Sequence, residues 1–132
     1  MTTELLIENH TADTTAVAAV VPEPAKLVWA RLLTTTAQEA LLGPGAALGD
    51  KGDRWQSADG CYGVVRSYHP LEKVRFSWHE TDEAPRTWVE LRLEPIGPDH
   101  TRVEIVHDHT GVTVDAAQLS ARWKGVLEAL TP

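Results

Sequence analysis

Cysteine is nearly absent. The chain of 132 residues holds one, Cys61, which excludes an intramolecular disulfide framework and a cysteine-based zinc motif. Nothing in its thiol chemistry argues for secretion. Basic charge is scarce as well: 12 Lys and Arg stand against 19 Asp and Glu, a net charge of −7. A surface that tracks phosphates needs a basic stripe, so nucleic acid is not expected as a partner. No apolar run reaches the length of a spanning helix, and no membrane partner is expected. Met1 to His10 carries two Glu and no Lys or Arg, so it lacks the basic start of a signal peptide. These absences lead to the expectation of a cytoplasmic protein. Glycine-rich phosphate loops are missing too, and Glu90, Glu94 and Glu104 fall on outward strand positions, which leaves no inward carboxylate pair. No cofactor is expected.

What is present is one domain's worth of chain, 42 % apolar and 23 % charged, enough for a real core. Residues 1–14 form a polar, threonine-rich arm or edge strand, with Leu5, Leu6 and Ile7 as its apolar run. Residues 15–132 form a single domain. Thr15 to Val21 is β-branched and small, and Pro22 stops it. EPAKLVWARLL then reads as an amphipathic helix of about three turns. Leu27, Val28, Trp29, Leu32 and Leu33 face inward, and Lys26 and Arg31 outward. Thr34 to Thr36 breaks it, and Ala37 to Leu42 makes one or two further turns. Gly43 to Gly52, with four glycines and a proline, is an irregular loop.

The period then becomes two. Asp53 to Ser57, Cys61 to His69, Val74 to His79, Thr87 to Glu94 and Thr101 to His109 read as strands, with Asp59-Gly60 and Gly97-Pro98 in turns. Helical period returns at the end. Asp115 is the N-cap, and Leu119, Trp123, Val126, Leu127 and Leu130 make one apolar stripe. Hairpins with segregated helices give an α+β fold. It is a curved antiparallel sheet of about six or seven strands around a long C-terminal helix, with two short helices after the first strand. A cup of this kind holds an apolar cavity where the helix does not fill it.

The segments AKLVWARLLTT, DGCYGVVRSYHPLEKVRFSWH, TWVELRLEPIG, TRVEIVHDHTG and WKGVLEAL resemble the SRPBCC superfamily, the START-like helix-grip proteins. Within it they are similar to the branch of heat-shock-protein ATPase activator homologues, over about Thr15 to Leu130. The resemblance implies the helix-grip fold. It also implies one of several activities: members bind lipids, hormones or polyketides, some cyclise polyketides, and some sequester toxic natural products. Fold alone does not choose among these. Leu42 to Gly52 departs from the relatives that carry a tryptophan and a charged loop there, so the pocket mouth is expected to differ. Chaperone stimulation belongs to relatives with an additional N-terminal domain, and it is not carried over.

Five tryptophans stand against one Phe and two Tyr. Trp29 reads as core, and Trp55 as the rim of a pocket. Trp88 points outward and offers a homodimer contact on the outer sheet face. Trp78 and Trp123 face each other across the expected cavity and contact either a ligand or one another. His107 and His109 lie on one face of their strand, a geometry that suits a metal. His79 falls on the other face and no third ligand converges, so no metal is expected. His107 has three readings: a hydrogen-bonded core residue, an anchor for a ligand's polar group, or an acid or base. The family often places a histidine at this position, facing the cavity. Cys61 has no activating base at recognisable spacing. Arg86 is either a mouth residue for an anion or a solvated side chain.

The expected function is binding of a small hydrophobic molecule, with an aromatic or polyketide-like natural product as one candidate, as plain binding or as sequestration for self-resistance. The expected contacts are Trp55, Phe76, Trp78, Val89, Leu91, Ile105, His107, Leu119, Trp123 and Leu127. One alternative is a cyclase, dehydratase or hydrolase with His107 or His109 as acid or base. Another is a protein-interaction module with a closed core.

Overall fold

A computed structural model describes the backbone of residues 4–132 and the side chains from residue 8 onward. The elements in chain order are β1 (Glu4–His10), β2 (Thr14–Val21), α1 (Ala25–Leu32), α2 (Thr35–Leu42), β3 (Arg54–Gln56), β4 (Tyr62–His69), β5 (Lys73–Trp78), β6 (Thr87–Ile96), β7 (His100–Asp108) and α3 (Ala116–Ala129). The seven strands form one sheet in the order β1-β2-β7-β6-β5-β4-β3, and every pairing is antiparallel. This is the α+β helix-grip architecture expected from the sequence. The C-terminal helix lies against β2 and α2.

Within the segment read as an arm, residues 4–10 form β1, an edge strand paired with β2 from Glu4↔Val20 to His10↔Thr15. Residues 1–3 lie outside the described residues. The β1–β2 turn is closed by Thr11, whose hydroxyl accepts from the Thr14 amide at 3.0 Å while its own amide donates to the Thr14 carbonyl at 2.8 Å. The two short helices therefore follow the second strand.

The first helix is shorter than its sequence suggests. It has eight residues and buries one narrow stripe, Val28, Trp29 and Leu32. Leu27 and Leu33, expected inside, are 46 % and 48 % exposed, because two turns present only one face to the core. The hydroxyl of Thr34, read as a break, caps the next helix by accepting from the Ala37 amide. A polar residue between two short helices serves both ends at once. Arg31 is a tie rather than a free outer charge: it pairs with Glu23 and donates to the Leu130 carbonyl at 3.1 Å.

Alternation sets the inner face of the sheet. Val74, Phe76 and Trp78 of β5, Val89, Leu91 and Leu93 of β6, and Val103, Ile105 and His107 of β7 are all buried. Opposite them the α3 stripe of Leu119, Trp123, Val126, Leu127 and Leu130 is buried as well. Each such apolar side chain contributes roughly 1.5–3 kcal/mol by leaving water. The Asp115 carboxylate caps α3, accepting from the Gln118 amide at 3.0 Å, as its position in the sequence predicts.

Candidate functional site: an aromatic cluster under a cleft

The site grows from the ends of three neighbouring strands. Register puts Thr87 opposite Trp78, and Val89 opposite His107. Because side chains alternate, Trp78, Thr87 and His107 emerge on the same face, and the second turn of α3 brings Trp123 onto them. The ring centroids of Trp78 and His107 lie 5.0 Å apart, those of His107 and Trp123 5.5 Å, and those of Trp78 and Trp123 6.3 Å. All three pairs are edge-to-face, the arrangement aromatic quadrupoles favour. The two tryptophans thus contact one another and the histidine between them.

Arg122, the residue before Trp123, spans both indoles. Its guanidinium carbon sits 5.4 Å from each ring centroid, and one terminal nitrogen donates to the Leu41 carbonyl at 3.1 Å. Cation–π geometry of this kind contributes about 0.5–2 kcal/mol per contact. Beside the cluster a cleft of about 460 Å³ opens to solvent. Its walls come from Asp59 and Cys61 in the β3–β4 turn, Trp78 at the end of β5, Glu80 and Thr81 beyond it, Thr113, Val114 and Asp115 before α3, and Gln118, Leu119 and Arg122 on α3, a lining with three carboxylates and one guanidinium.

Hydrogen bonding fixes the state of His107. The Thr87 hydroxyl donates to the Trp78 carbonyl at 3.0 Å, so it accepts from His107 Nε2 at 2.8 Å. The proton of the neutral imidazole is therefore on Nε2, and Nδ1 carries a lone pair. Burial pushes the His107 pKa down to about 3, helped by His109 and Arg122 and opposed by Asp108. His109 is buried too, with Nε2 3.0 Å from the Thr15 hydroxyl, which in turn lies 2.6 Å from His10 Nδ1. The two imidazoles of the His-x-His pair meet at 5.7 Å, each tied through Nε2 to a threonine. Among the described residues no three His, Cys, Asp or Glu side chains form a metal-binding group.

The remaining sequence candidates separate. Trp55 is buried, donates to the Ser77 carbonyl at 3.2 Å and meets Phe76 edge-on at 5.7 Å; it also lines a different surface hollow with Tyr62 and Asp82. Phe76, Val89, Leu91, Ile105 and Leu127 lie in the core beneath the cluster. Trp29 is core, edge-on to Tyr68. His79 stacks on Tyr62 at 4.4 Å and donates through Nδ1 to the Ala84 carbonyl. Trp88 is half-buried on the outer sheet face, between the guanidinium groups of Arg75 and Arg86 at 4.5 and 5.1 Å. Arg86 is thus occupied on that outer face. Cys61 is buried, and that burial, with Asp59 beside it, pushes its thiol pKa up. A thiol so placed is a poor nucleophile.

Two residues of the cluster escape a reading of sequence alone. Thr87 is the inward member of the Thr87, Val89, Leu91 alternation, a hydroxyl at the head of an apolar strand face. Arg122 sits three residues after Leu119 and four before Val126, at the margin of the helix stripe. Both positions are signals of a polar group placed deliberately at the edge of a core.

Residues 20–131 match the family model described as Activator of Hsp90 ATPase homolog 1-like protein. The chain belongs to this family. Its fold recurs in CalU16 from Micromonospora echinospora, with 22 % identity, a TM-score of 0.72, and coverage of 98 % of this chain and 84 % of that one. DynU16, a protein of the dynemicin biosynthetic locus, is 22 % identical with a TM-score of 0.70 over 89 % of this chain, which spans 45 % of DynU16. PFC0360w, an HSP90 activator from Plasmodium falciparum, has 12 % identity and a TM-score of 0.70 over 88 % of this chain and 91 % of its own. No curated protein matches the chain. Family membership agrees with the resemblance drawn from the sequence segments. At these identities the structural likeness speaks for the fold.

Proposed function

We propose that this member of the family binds a small hydrophobic molecule, aromatic or polyketide-like, between the sheet and α3. The single observation that carries the reading is the cleft of about 460 Å³ walled by Trp78 and Leu119, with Trp123 and His107 in ring contact directly behind Trp78. A volume in this range is what small-molecule sites have in common, and Trp78, Val114 and Leu119 give this one an apolar patch among polar side chains. The occurrence of a structural relative in a biosynthetic locus supports a natural product as the occupant, held for transport or sequestration.

Binding is favoured over proton-transfer catalysis by the state of His107. A general acid or base works best when it titrates near the working pH, whereas His107 is held at about 3 and its Nε2 is committed to Thr87. The test is native mass spectrometry of the protein purified from its source cells. A bound small molecule in the wild type that is lost in Trp78→Ala is the expected result. A wild-type protein that carries no extra mass, and whose tryptophan fluorescence no planar aromatic compound alters, would sink the binding reading.

A further inference from the structure

The lining of the cleft is acidic. Asp59, Glu80 and Asp115 reach it from three segments far apart in the chain, against one base, Arg122. Other hollows of the surface differ. The one at β3 sets Arg54 against Asp82, and the one bordered by Glu72, Leu93 and Arg102 has three bases against three acids. The hollow beside Trp88 leans the other way, with three bases against two acids. The acidity of the cleft is therefore local, and not the net charge of −7 repeated over the whole surface.

The one base is already engaged. Arg122 donates to the Leu41 carbonyl at 3.1 Å, and its guanidinium carbon lies 5.4 Å from the ring centroids of Trp78 and Trp123. The hydrogen bond from Ser57 chiefly, with Arg122 a lesser cause, holds Asp59 below its ordinary carboxylate pKa. Setting Arg122 against Asp59 leaves Glu80 and Asp115 uncompensated. The Asp115 carboxylate accepts from the Gln118 amide and meets no cation among the described residues. Glu80 is exposed, and no ion pair among the described residues engages it. Beside these charges lies the apolar patch of Trp78, Val114 and Leu119.

We infer that the ligand of this cleft is a hydrophobic amine, its protonated nitrogen drawn by Asp59, Glu80 and Asp115 and its apolar body laid on Trp78, Val114 and Leu119. This rests on the binding reading above and narrows it from any small hydrophobic molecule to a cationic one. The attraction does not require the three carboxylates to meet at a point. A cleft lined by one sign of charge concentrates its field. A hollow of about 460 Å³ keeps its lining within about one Debye length of a bound cation, roughly 10 Å at 0.1 M salt. All three acids are exposed, so the ammonium group keeps part of its water and the desolvation cost of a buried ion pair does not arise.

The experiment compares two probes of one shape on the wild-type protein, naphthylmethylamine and the neutral naphthylmethanol. Each is titrated while the amide resonances of Val114, Gln118 and Leu119 and the indole N–H of Trp78 are followed by NMR. At about 20 mM salt the amine is expected to bind about tenfold or more tightly than the alcohol, and the difference should shrink at about 500 mM. A variant carrying Asp59→Asn, Glu80→Gln and Asp115→Asn together is expected to bind the two probes alike. Asparagine caps a helix as well as aspartate does and suits the turn before Gly60 equally, so the substitutions remove charge and keep the fold. Equal or tighter binding of the alcohol at the same resonances overturns the cationic inference and leaves hydrophobic binding standing. So does a preference for the amine that survives in the triple variant, or amine-induced shifts spread over the surface instead of gathered at the cleft. Failure of both probes to move any cleft resonance removes the binding reading, and the inference falls with it. The wild-type comparison decides the matter even where the triple variant fails to fold.

Discussion

Trp78 and His107 cross edge-to-face at 5.0 Å and 82°, and one residue, Thr87, holds both. Its hydroxyl donates to the Trp78 carbonyl and accepts from His107 Nε2. A single threonine thereby fixes the strand end that carries the indole and the tautomer of the imidazole. The relationship depends on His107 staying neutral, since protonation would put a charge among the rings.

That dependence gives a pH signature. The folded-state pKa of His107 is lowered from 6.5 to about 3, with burial the largest cause, then His109 and Arg122, against Asp108. A depressed pKa means that the contribution is complete above 6.5 and is lost as pH falls from 6.5 toward 3. The slope is about 1.4 kcal/mol per pH unit. Asp59 and Asp108 are lowered from 3.8, chiefly by hydrogen bonds from Ser57 and Thr110, so their losses begin only near and below that value. His107→Phe keeps a ring between the indoles and leaves Thr87 bonded to Trp78. Urea unfolding between about pH 7 and pH 5 should show a shallower loss of stability in the variant, by about 1 kcal/mol per unit averaged over that interval. An unchanged slope would mean that His107 protonates in the folded state without resistance.

Leu71 is the one described non-glycine residue with positive φ, at 71°. It follows Pro70 in the β4–β5 turn, which the Glu72 amide closes on the His69 carbonyl at 3.0 Å. Proline followed by a left-handed residue defines a type II turn, whose third position favours glycine or asparagine. Leu71 is 45 % exposed, so little packing offsets the strain. Leu71→Asn should raise stability by about 0.5–1 kcal/mol, read as a shift of the urea midpoint at constant slope. A loss of stability would show that the leucine side chain is a packing contact after all.

Much of this architecture is legible in the residues, and the parts that are not have physical reasons. Alternation in VRFSWH, TWVELRLE and TRVEIVHDH places the inner face correctly, because a half-buried strand leaves a period of two. The α3 stripe is legible for the same reason at period 3.6. Leu27 and Leu33 mislead because apolar content does not report how short a helix is. The site is legible only in part. Trp78, His107 and Trp123 are found by facing positions, whereas Thr87 and Arg122 act through register and through one cross-layer contact. Sequence position marks each as a polar group at a core edge, but not what it bonds to. Nor could the sequence show that the two indoles touch each other and that only Trp78 reaches the cleft, since that depends on distances across the layers.

Arg31 joins two layers. It pairs with Glu23 and donates to the Leu130 carbonyl at the end of α3, and Glu23 raises the pKa of the guanidinium by hydrogen bonding. The Leu130 carbonyl is among the orphan acceptors that a helix end leaves. Arg31→Met should keep the stem's packing and lose both bonds, at a cost of about 1–2 kcal/mol, with Glu23→Gln costing less. Thermal unfolding of the two variants checks the order. A larger loss for Glu23→Gln would place the weight on the ion pair rather than on the tie to α3.

Gly63 and Gly125 should respond to alanine with opposite signs. At Gly63 on β4, an added Cβ would lie 1.8 Å from the Ser77 carbonyl oxygen and 2.7 Å from Trp55 Nε1, the two atoms that form the hydrogen bond between β3 and β5. The obstacle is backbone and cannot rotate away. Relief requires the strands to separate and the buried indole N–H to lose its acceptor. Gly63→Ala is therefore expected to cost about 3 kcal/mol or more, beyond ordinary overpacking. Gly125 lies on the exposed side of α3, and nothing stands within 4 Å of its added Cβ. There alanine removes only the entropic cost of glycine in a helix, so Gly125→Ala should stabilise by about 0.5–1 kcal/mol. Urea unfolding of both variants, with tryptophan fluorescence as the probe, separates the cases. A mild effect of Gly63→Ala would show that β4 can move away from Ser77. The grip of β5 on Trp55, and with it the rigid placement of Trp78 at the end of the same strand, would then be looser than the geometry describes.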